Sequence, residues 1–184
     1  IYTKLFVYWR CIMDFYYNNF SLVIPDQSHE VKYNRIMDKW ESLENNIQPE
    51  LMRRSNIPFK KWLDYCEDDR TTGSMLSTHV PCTLYFLINQ DNEIFGSIVL
   101  NHEDTPRGHL HAGIVPWHRS KGYGTIMLSL ALTKCIQKGI KRVHITPRKD
   151  NLGAIQTIVH NGGILVSEFL DNDIPILRYE INLD

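Results

Sequence analysis

The sequence predicts an α/β domain with a central mixed, mostly antiparallel sheet and helices on both faces. Three observations predict it. Two apolar runs, residues 83–88 and 94–100, flank the polar stretch Asn89, Gln90, Asp91 and Asn92, the pattern of a hairpin. Residues 125–138 carry a helical period, with Thr125, Ser129, Thr133 and Gln137 on one face and Ile126, Met127, Leu130, Ala131 and Cys135 filling the other. From residue 108 onward the chain alternates strand, helix, strand, helix, strand.

The elements follow in order. Ser21 to Ile24 form a short strand that Pro25 ends. Residues 29–44 place Val31, Ile36, Met37, Trp40 and Leu43 among charges, as an amphipathic helix does. Residues 58–66 predict a second helix with Pro58 near its first turn, and Glu67, Asp68 and Asp69 read as its wet end. Residues 70–78, rich in Thr, Ser and Gly, read as a loop. After the hairpin, residues 108–115 form a third strand. Gly139 suits the left-handed end of the long helix. Residues 142–147 form a short strand that Pro147 closes. Asp150 or Asn151 can cap a short helix with the stripe Ala154, Ile155, Ile158 and Val159, and Asn161, Gly162 and Gly163 end it. Two last strands, residues 164–169 and 174–181, flank Asp171, Asn172 and Asp173.

Residues 20–184 form one domain, and residues 1–19 are an atypical N-terminal extension. The apolar segment at residues 5–9 is too short and too soon interrupted by charge to span a bilayer, and it lacks the small-residue cleavage site of a signal peptide. We expect residues 1–12 to lie outside the natural domain, with Met13 as the true start.

Of 184 residues, 43% are hydrophobic and 22% charged, and the formal net charge is −1. That balance fits a soluble globular protein and argues against nucleic acid and membrane partners. None of the four cysteines forms a C-x-x-C pair, and all sit in apolar contexts, as free thiols of a reducing cytoplasm do.

The chemistry concentrates in one loop. Val115-Pro116-Trp117-His118 is followed by Arg119-Ser120-Lys121-Gly122-Tyr123-Gly124 and then Thr125, where the long helix begins. A glycine-punctuated turn into a helix aims backbone N–H groups at one point and adds the partial positive charge of the helix dipole. Such a loop suits a pyrophosphate. A Walker A run is absent, and Gly122-Tyr123-Gly124 lacks the third glycine of a dinucleotide fingerprint. What remains is [RQ]-x-x-G-x-[GA] directly after V-P-x-x.

That loop resembles the acyl-CoA pyrophosphate loop of the GNAT acetyltransferase superfamily. The resemblance runs from Cys82 to Gly163 and continues through Asn151-x-x-Ala154 and Asn161-Gly162-Gly163. Within the superfamily the chain looks most like a bacterial group of predicted acetyltransferases with a G-H-x-G-x-G-V-x-P-like strand. The resemblance implies the GNAT acyl-CoA N-acyltransferase fold and transfer of acetyl from acetyl-CoA, as co-substrate, to an amine by direct attack. It implies coenzyme A contacts at Ile114, Val115, Arg119, Ser120, Lys121, Gly122, Tyr123, Gly124, Thr125 and Asn151. It also implies a strand at residues 112–115 splayed from a parallel neighbour at 143–146, so that the pantetheine arm pairs with the free edge. The N–H of Ile114 would polarise the thioester carbonyl. His109, matching the histidine of that strand pattern, would act as general base, with His111 on the same face.

Other readings are weighed beside these. Asn151 can also serve as a helix cap, which is compatible with contact to the ligand. Glu103 and Asp104 read as a solvated loop pair or as an anchor for the acceptor amine. Four histidines, His102, His109, His111 and His118, come without carboxylate or cysteine spacing for a metal, so none is expected. Many superfamily members place a general-acid tyrosine seven residues after the asparagine. Here that position is Ile158, and Tyr179 is a weak substitute. The acceptor is a small-molecule or peptide amine, and homodimer formation fits the superfamily. A catalytically silent acyl-CoA sensor and a binder of ADP-like ligands are the competing functions.

Overall fold

A computed structural model describes residues 19–53, 56–73 and 80–184. The predicted hairpin forms from β2 (Cys82–Asn89) and β3 (Ile94–Asn101). Its turn is built by Asn89, whose side-chain oxygen accepts from the N–H groups of Asp91 and Glu93, while Asn92 takes a φ of 57°. Such local bonding is what makes asparagine a turn former. β1 (Phe20–Val23) pairs with the outer edge of β2, and β4 (Leu110–Ile114) with β3. A second sheet has the order β5-β7-β6, from β5 (Arg142–Ile145), β6 (Ile164–Asp171) and β7 (Ile174–Asn182). The ladders among the described residues are all antiparallel.

Helices cover both faces. α1 (Glu30–Leu43) buries Tyr33, Ile36, Met37 and Trp40, the i, i+3, i+4, i+7 stripe of an amphipathic helix. α2 (Phe59–Thr72) buries Phe59, Trp62 and Cys66 against the same side. There Tyr33 stacks on Trp62 at 4.6 Å, and Trp62 lies 6.0 Å from Phe86 of β2. The indole N–H of Trp62 and the hydroxyl of Tyr33 donate to the carbonyls of Leu51 and Met52, both at 3.0 Å, so the apolar layer buries no unpaired donor from these rings. The opposite face carries α3 (Tyr123–Gln137) and α4 (Leu152–His160), whose Met127, Ala131, Cys135 and Ile158 pack on Leu87, Ile98 and Leu100. β2 and β3 are therefore sandwiched, which explains why their sequences are continuous apolar runs rather than alternations.

The second helix runs further than its sequence suggested. It continues through Asp69, which is fully buried rather than solvated, to Thr72. Gly73 then ends it at a φ of 66°, where a Cβ would meet the carbonyl carbon of Val80 at 2.5 Å. The expectations placed on residues 1–18, Met13 included, and on residues 74–78 lie outside the described residues.

The splay expected between β4 and β5 is present, but its form differs. No parallel ladder joins them among the described residues. They meet at the foot of β4, where the His109 N–H donates to the His144 carbonyl at 2.7 Å and Gly108 bridges Ile145 in the antiparallel sense. Gly108 causes this. Its φ of 82° turns the chain, and a Cβ there would stand 2.4 Å from the His144 carbonyl oxygen. Beyond that foot the two sheets are not laddered, and one edge of β4 is left open.

Candidate active site

The loop after β4 begins with a short 3-10 turn, Pro116–His118, whose proline sits at its first position. Its end is locked by the N–H groups of His118 and Arg119, which donate to Val115 and Pro116. Ser120 then takes a φ of 58° and Gly122 a φ of 82° before α3 starts at Tyr123. No side chain caps that helix start. Among the described residues, the N–H groups of Ser120, Lys121, Gly122, Tyr123 and Gly124 have no protein acceptor, whereas those of Thr125 and Ile126 turn back to the Gly122 carbonyl at 3.0 and 3.3 Å. Successive free amides at left-handed turns form an anion-binding concavity, and the helix dipole reinforces it. Tyr123 anchors the helix start, packing at 4.8 Å on Phe95 and 5.4 Å on Phe20. Gly124 has a second use: a Cβ there would come 3.2 Å from Thr157 Oγ1, so the glycine lets α3 and α4 pack closely.

Several residues expected at the ligand are turned elsewhere. Val115 is fully buried, its N–H bonded to Phe95 and its carbonyl to His118, so it has no free group to offer. The Arg119 guanidinium grips both carboxylate oxygens of Glu44 and donates through Nε to the Ile114 carbonyl at 3.0 Å. Lys121 Nζ donates to the Trp117 carbonyl at 2.9 Å. Asn151 caps α4 through its side-chain oxygen, which accepts from Ala154 N–H at 3.1 Å. That bond makes Asn151 a helix cap, a role compatible with ligand contact.

β4 supplies the second part of the site. Asn101 and Val115 N–H donate across the β3–β4 ladder to His109 and Phe95. The antiparallel alternation therefore points the amides of Leu110, Ala112 and Ile114 away from β3, toward the unladdered side. Ile114 thus presents the free N–H that its position implied. Ala112, one pleat further from the loop, presents another that the sequence alone did not single out.

The histidines of this strand are held differently. His109 is buried, and its Nδ1 accepts the His144 backbone N–H at 3.1 Å. Its neutral ring therefore carries its proton on Nε2 and has no free lone pair. Burial holds its pKa below the ordinary histidine value, with neighbouring Asp104 opposing. His111 Nε2 accepts from Asn101 Nδ2 at 3.2 Å, and the same amide group donates to the Gly108 carbonyl at 2.9 Å, which fixes its orientation. Burial pushes the His111 pKa down to about 4. Both rings are occupied as acceptors, so neither is poised to take a proton from an amine. The base role expected of His109 conflicts with its hydrogen bond, and its evident work is to tie β5 to β4.

Around that tie lies a charged group that the sequence did not predict. His144 sits between Asp104, 2.8 Å from Nδ1, and Glu180, 3.0 Å from Nε2. Arg178 binds Asp104 through both carboxylate oxygens at 2.8 and 2.6 Å. Asp104 is therefore no free loop carboxylate. Asp104, His109 and His144 have ligand atoms within metal-binding reach of one another. Arg178 already neutralises Asp104, and the His144 amide N–H occupies the Nδ1 lone pair of His109. Register assembles this group: β5 pairs His144 with Glu180 of β7. No local pattern in the sequence could have joined them.

Ile158, at the position of the missing tyrosine, is buried under Gly163, where a Cβ would meet its Cγ2 at 2.3 Å. Tyr179 is buried in the core between the sheet and α3. Burial pushes the thiols of Cys82 and Cys135 up to about 12, and that of Cys66 further, so none is a thiolate nucleophile. No helix among the described residues is long and apolar enough to cross a membrane.

Among the described residues, an amide nest at a helix start thus lies beside an edge strand with unpaired N–H groups. The chain belongs to the Acetyltransferase (GNAT) family, which it matches over residues 39–162. Solved structures share the fold. The Microcin C7 self-immunity acetyltransferase MccE, in complex with acetyl-CoA and AMP, superposes with a TM-score of 0.66 at 12% identity, covering 90% of this chain and 93% of its own. The acetyltransferase that modifies the N-terminal serine of ribosomal protein L7/L12 in Salmonella typhimurium gives 0.64 at 17%, covering 90% and 96%. The spermidine/spermine N-acetyltransferase SpeG from Vibrio cholerae gives 0.59 at 12%, covering 89% and 95%. Among curated proteins, none matches the chain.

Proposed function

We propose that the protein transfers an acetyl group from acetyl-CoA to an amine by direct attack. The observation that carries this reading is the run of unpartnered amides from Ser120 to Gly124, backed by the free edge of β4. The diphosphate of coenzyme A takes the amides of Ser120, Lys121, Gly122, Tyr123 and Gly124. The pantetheine arm runs along β4 toward its foot, and the N–H of Ile114 or Ala112 donates to the thioester oxygen as charge develops there. The amine nitrogen bonds to the thioester carbon, the carbon–sulfur bond breaks, and the thiolate leaves. Ile158 supplies no proton to it, so water does. The amine, protonated near neutral pH when free, loses its proton through water, with the Glu180 carboxylate at the foot of the opening as the acceptor.

The acceptor is an amine of a small molecule, as for SpeG, or of a peptide or protein, as for the L7/L12 enzyme. We place the protein in the cytoplasm, where its thiols stay reduced, and read residues 20–184 as its catalytic domain. We also propose that it self-associates through β6, the outer strand of its sheet, which exposes Ile164, Val166 and Leu170.

Calorimetry with coenzyme A and with ADP, followed by thiol release from acetyl-CoA across an amine panel, tests this reading. Coenzyme A should bind well above ADP, and an amine should accelerate thiol release. Equal affinity would remove the pantetheine from the account. Coenzyme A binding without turnover on any amine would favour the sensor. His109→Ala should leave the pH–rate profile in place while Glu180→Gln shifts its acidic limb, and the reverse result would restore His109 as the base.

A further inference from the structure

Arg119 sits in the loop that faces the ligand, yet its side chain is committed to the protein. Nε donates to the Ile114 carbonyl at 3.0 Å, one terminal nitrogen to Glu44 Oε2 at 2.9 Å, and the other to Glu44 Oε1. The guanidinium also lies 6.0 Å from the Trp40 ring. Glu44 is the residue that ends α1. Its N–H bonds to the Trp40 carbonyl at 3.0 Å, and its carboxylate accepts the Trp40 indole N–H. A carboxylate at a helix C-terminus meets the negative end of the dipole and is unfavourable there alone. Arg119 supplies the missing counter-charge, and it holds the Glu44 carboxyl below the usual carboxylate range.

The segment that follows Glu44 matters. Gln48 lies directly on β4: a Cβ on Gly113 would stand 1.9 Å from the Gln48 carbonyl oxygen. The chain leaving α1 is thus seated on β4 at Gly113 and fastened at its start by Arg119. It covers the face of β4 that carries His109 and His111, opposite the face packed by α3.

We propose that Arg119 is a positioning residue: it ties the phosphate loop and the last peptide of β4 to the end of α1, and the diphosphate is gripped by main-chain amides without it. The proposal rests on the coenzyme A reading above. Three of the five guanidinium N–H groups are spent on the Ile114 carbonyl and the two Glu44 oxygens, and swinging the side chain onto a diphosphate would break those bonds.

The test uses the full chain and coenzyme A as probe, with Arg119→Ala, Arg119→Lys, Glu44→Ala and the double alanine variant. Circular dichroism verifies folding, and calorimetry over a salt series gives affinities. Loss of the tie should weaken binding about three- to tenfold in Arg119→Ala and equally in Glu44→Ala, with no further loss in the double variant. Lysine should not rescue, because one ammonium cannot span a carbonyl and a bidentate carboxylate. The slope of log affinity against log salt should stay unchanged. A loss of about a hundredfold confined to the Arg119 variants, rescue by lysine, or a shallower salt slope would overturn the proposal in favour of direct diphosphate contact. Unchanged affinity in both alanine variants would overturn it too. If the parent protein binds no coenzyme A, the functional reading fails separately. Amide exchange at residues 115–125 then decides the tie: equal acceleration in both alanine variants supports it, and no acceleration sinks it.

Discussion

Single residues of β4 reveal how chemistry and support are divided. Its outward amides are free, while its histidines are spent on holding neighbours. His111 makes this measurable. Its pKa falls from 6.5 to about 4 on folding, so the unfolded chain binds more protons between those values. The contribution to stability is complete above pH 6.5 and disappears as pH falls toward about 4. The shift corresponds to on the order of 3 kcal/mol. Urea unfolding across that range should show stability dropping with acid, and His111→Gln should flatten the slope. His102, His109 and His118 are also lowered chiefly by burial, so part of the slope will persist. An identical slope in the variant would mean that His111 is not held neutral by the fold.

Elements differ in how legible they were. The hairpin, the long helix and the amide nest are written locally, in turn residues, a helical period and paired glycines, and each forms near its expected position. What was not legible depends on distance. Arg119 reads as a charge for a ligand until Glu44, 75 residues away in sequence, is brought beside it. His144 reads as an ordinary strand residue until β7 delivers Glu180 and the β3–β4 turn delivers Asp104. The antiparallel foot between β4 and β5 depends on a positive φ at Gly108 that no periodicity announces. β6 is another element whose exposure shows only in the fold. It is the outer strand of its sheet, and Ile164, Val166 and Leu170 are exposed at 71%, 50% and 68%. A bare apolar edge of this kind invites pairing. We expect concentration-dependent dimers in sedimentation experiments, and monomers when Val166→Lys and Leu170→Glu are combined. A parent protein that stays monomeric through the micromolar range would contradict this.

At the scale of the molecule, two sheets meet at one foot and part above it, and the phosphate loop stands at the far end of the parting strand. The proposed function uses that geometry: a negatively charged head at the helix start and a tail along β4. A ligand that engages head and tail together should be recognised far better than one that offers the head alone. The most direct measurement is the structure of the protein with coenzyme A bound. The account predicts diphosphate oxygens within about 3 Å of the amides of residues 120–124 and pantetheine alongside Ile114 and Ala112, with Arg119 still on Glu44. Coenzyme A bound at any other surface, with those amides left to solvent, would contradict it.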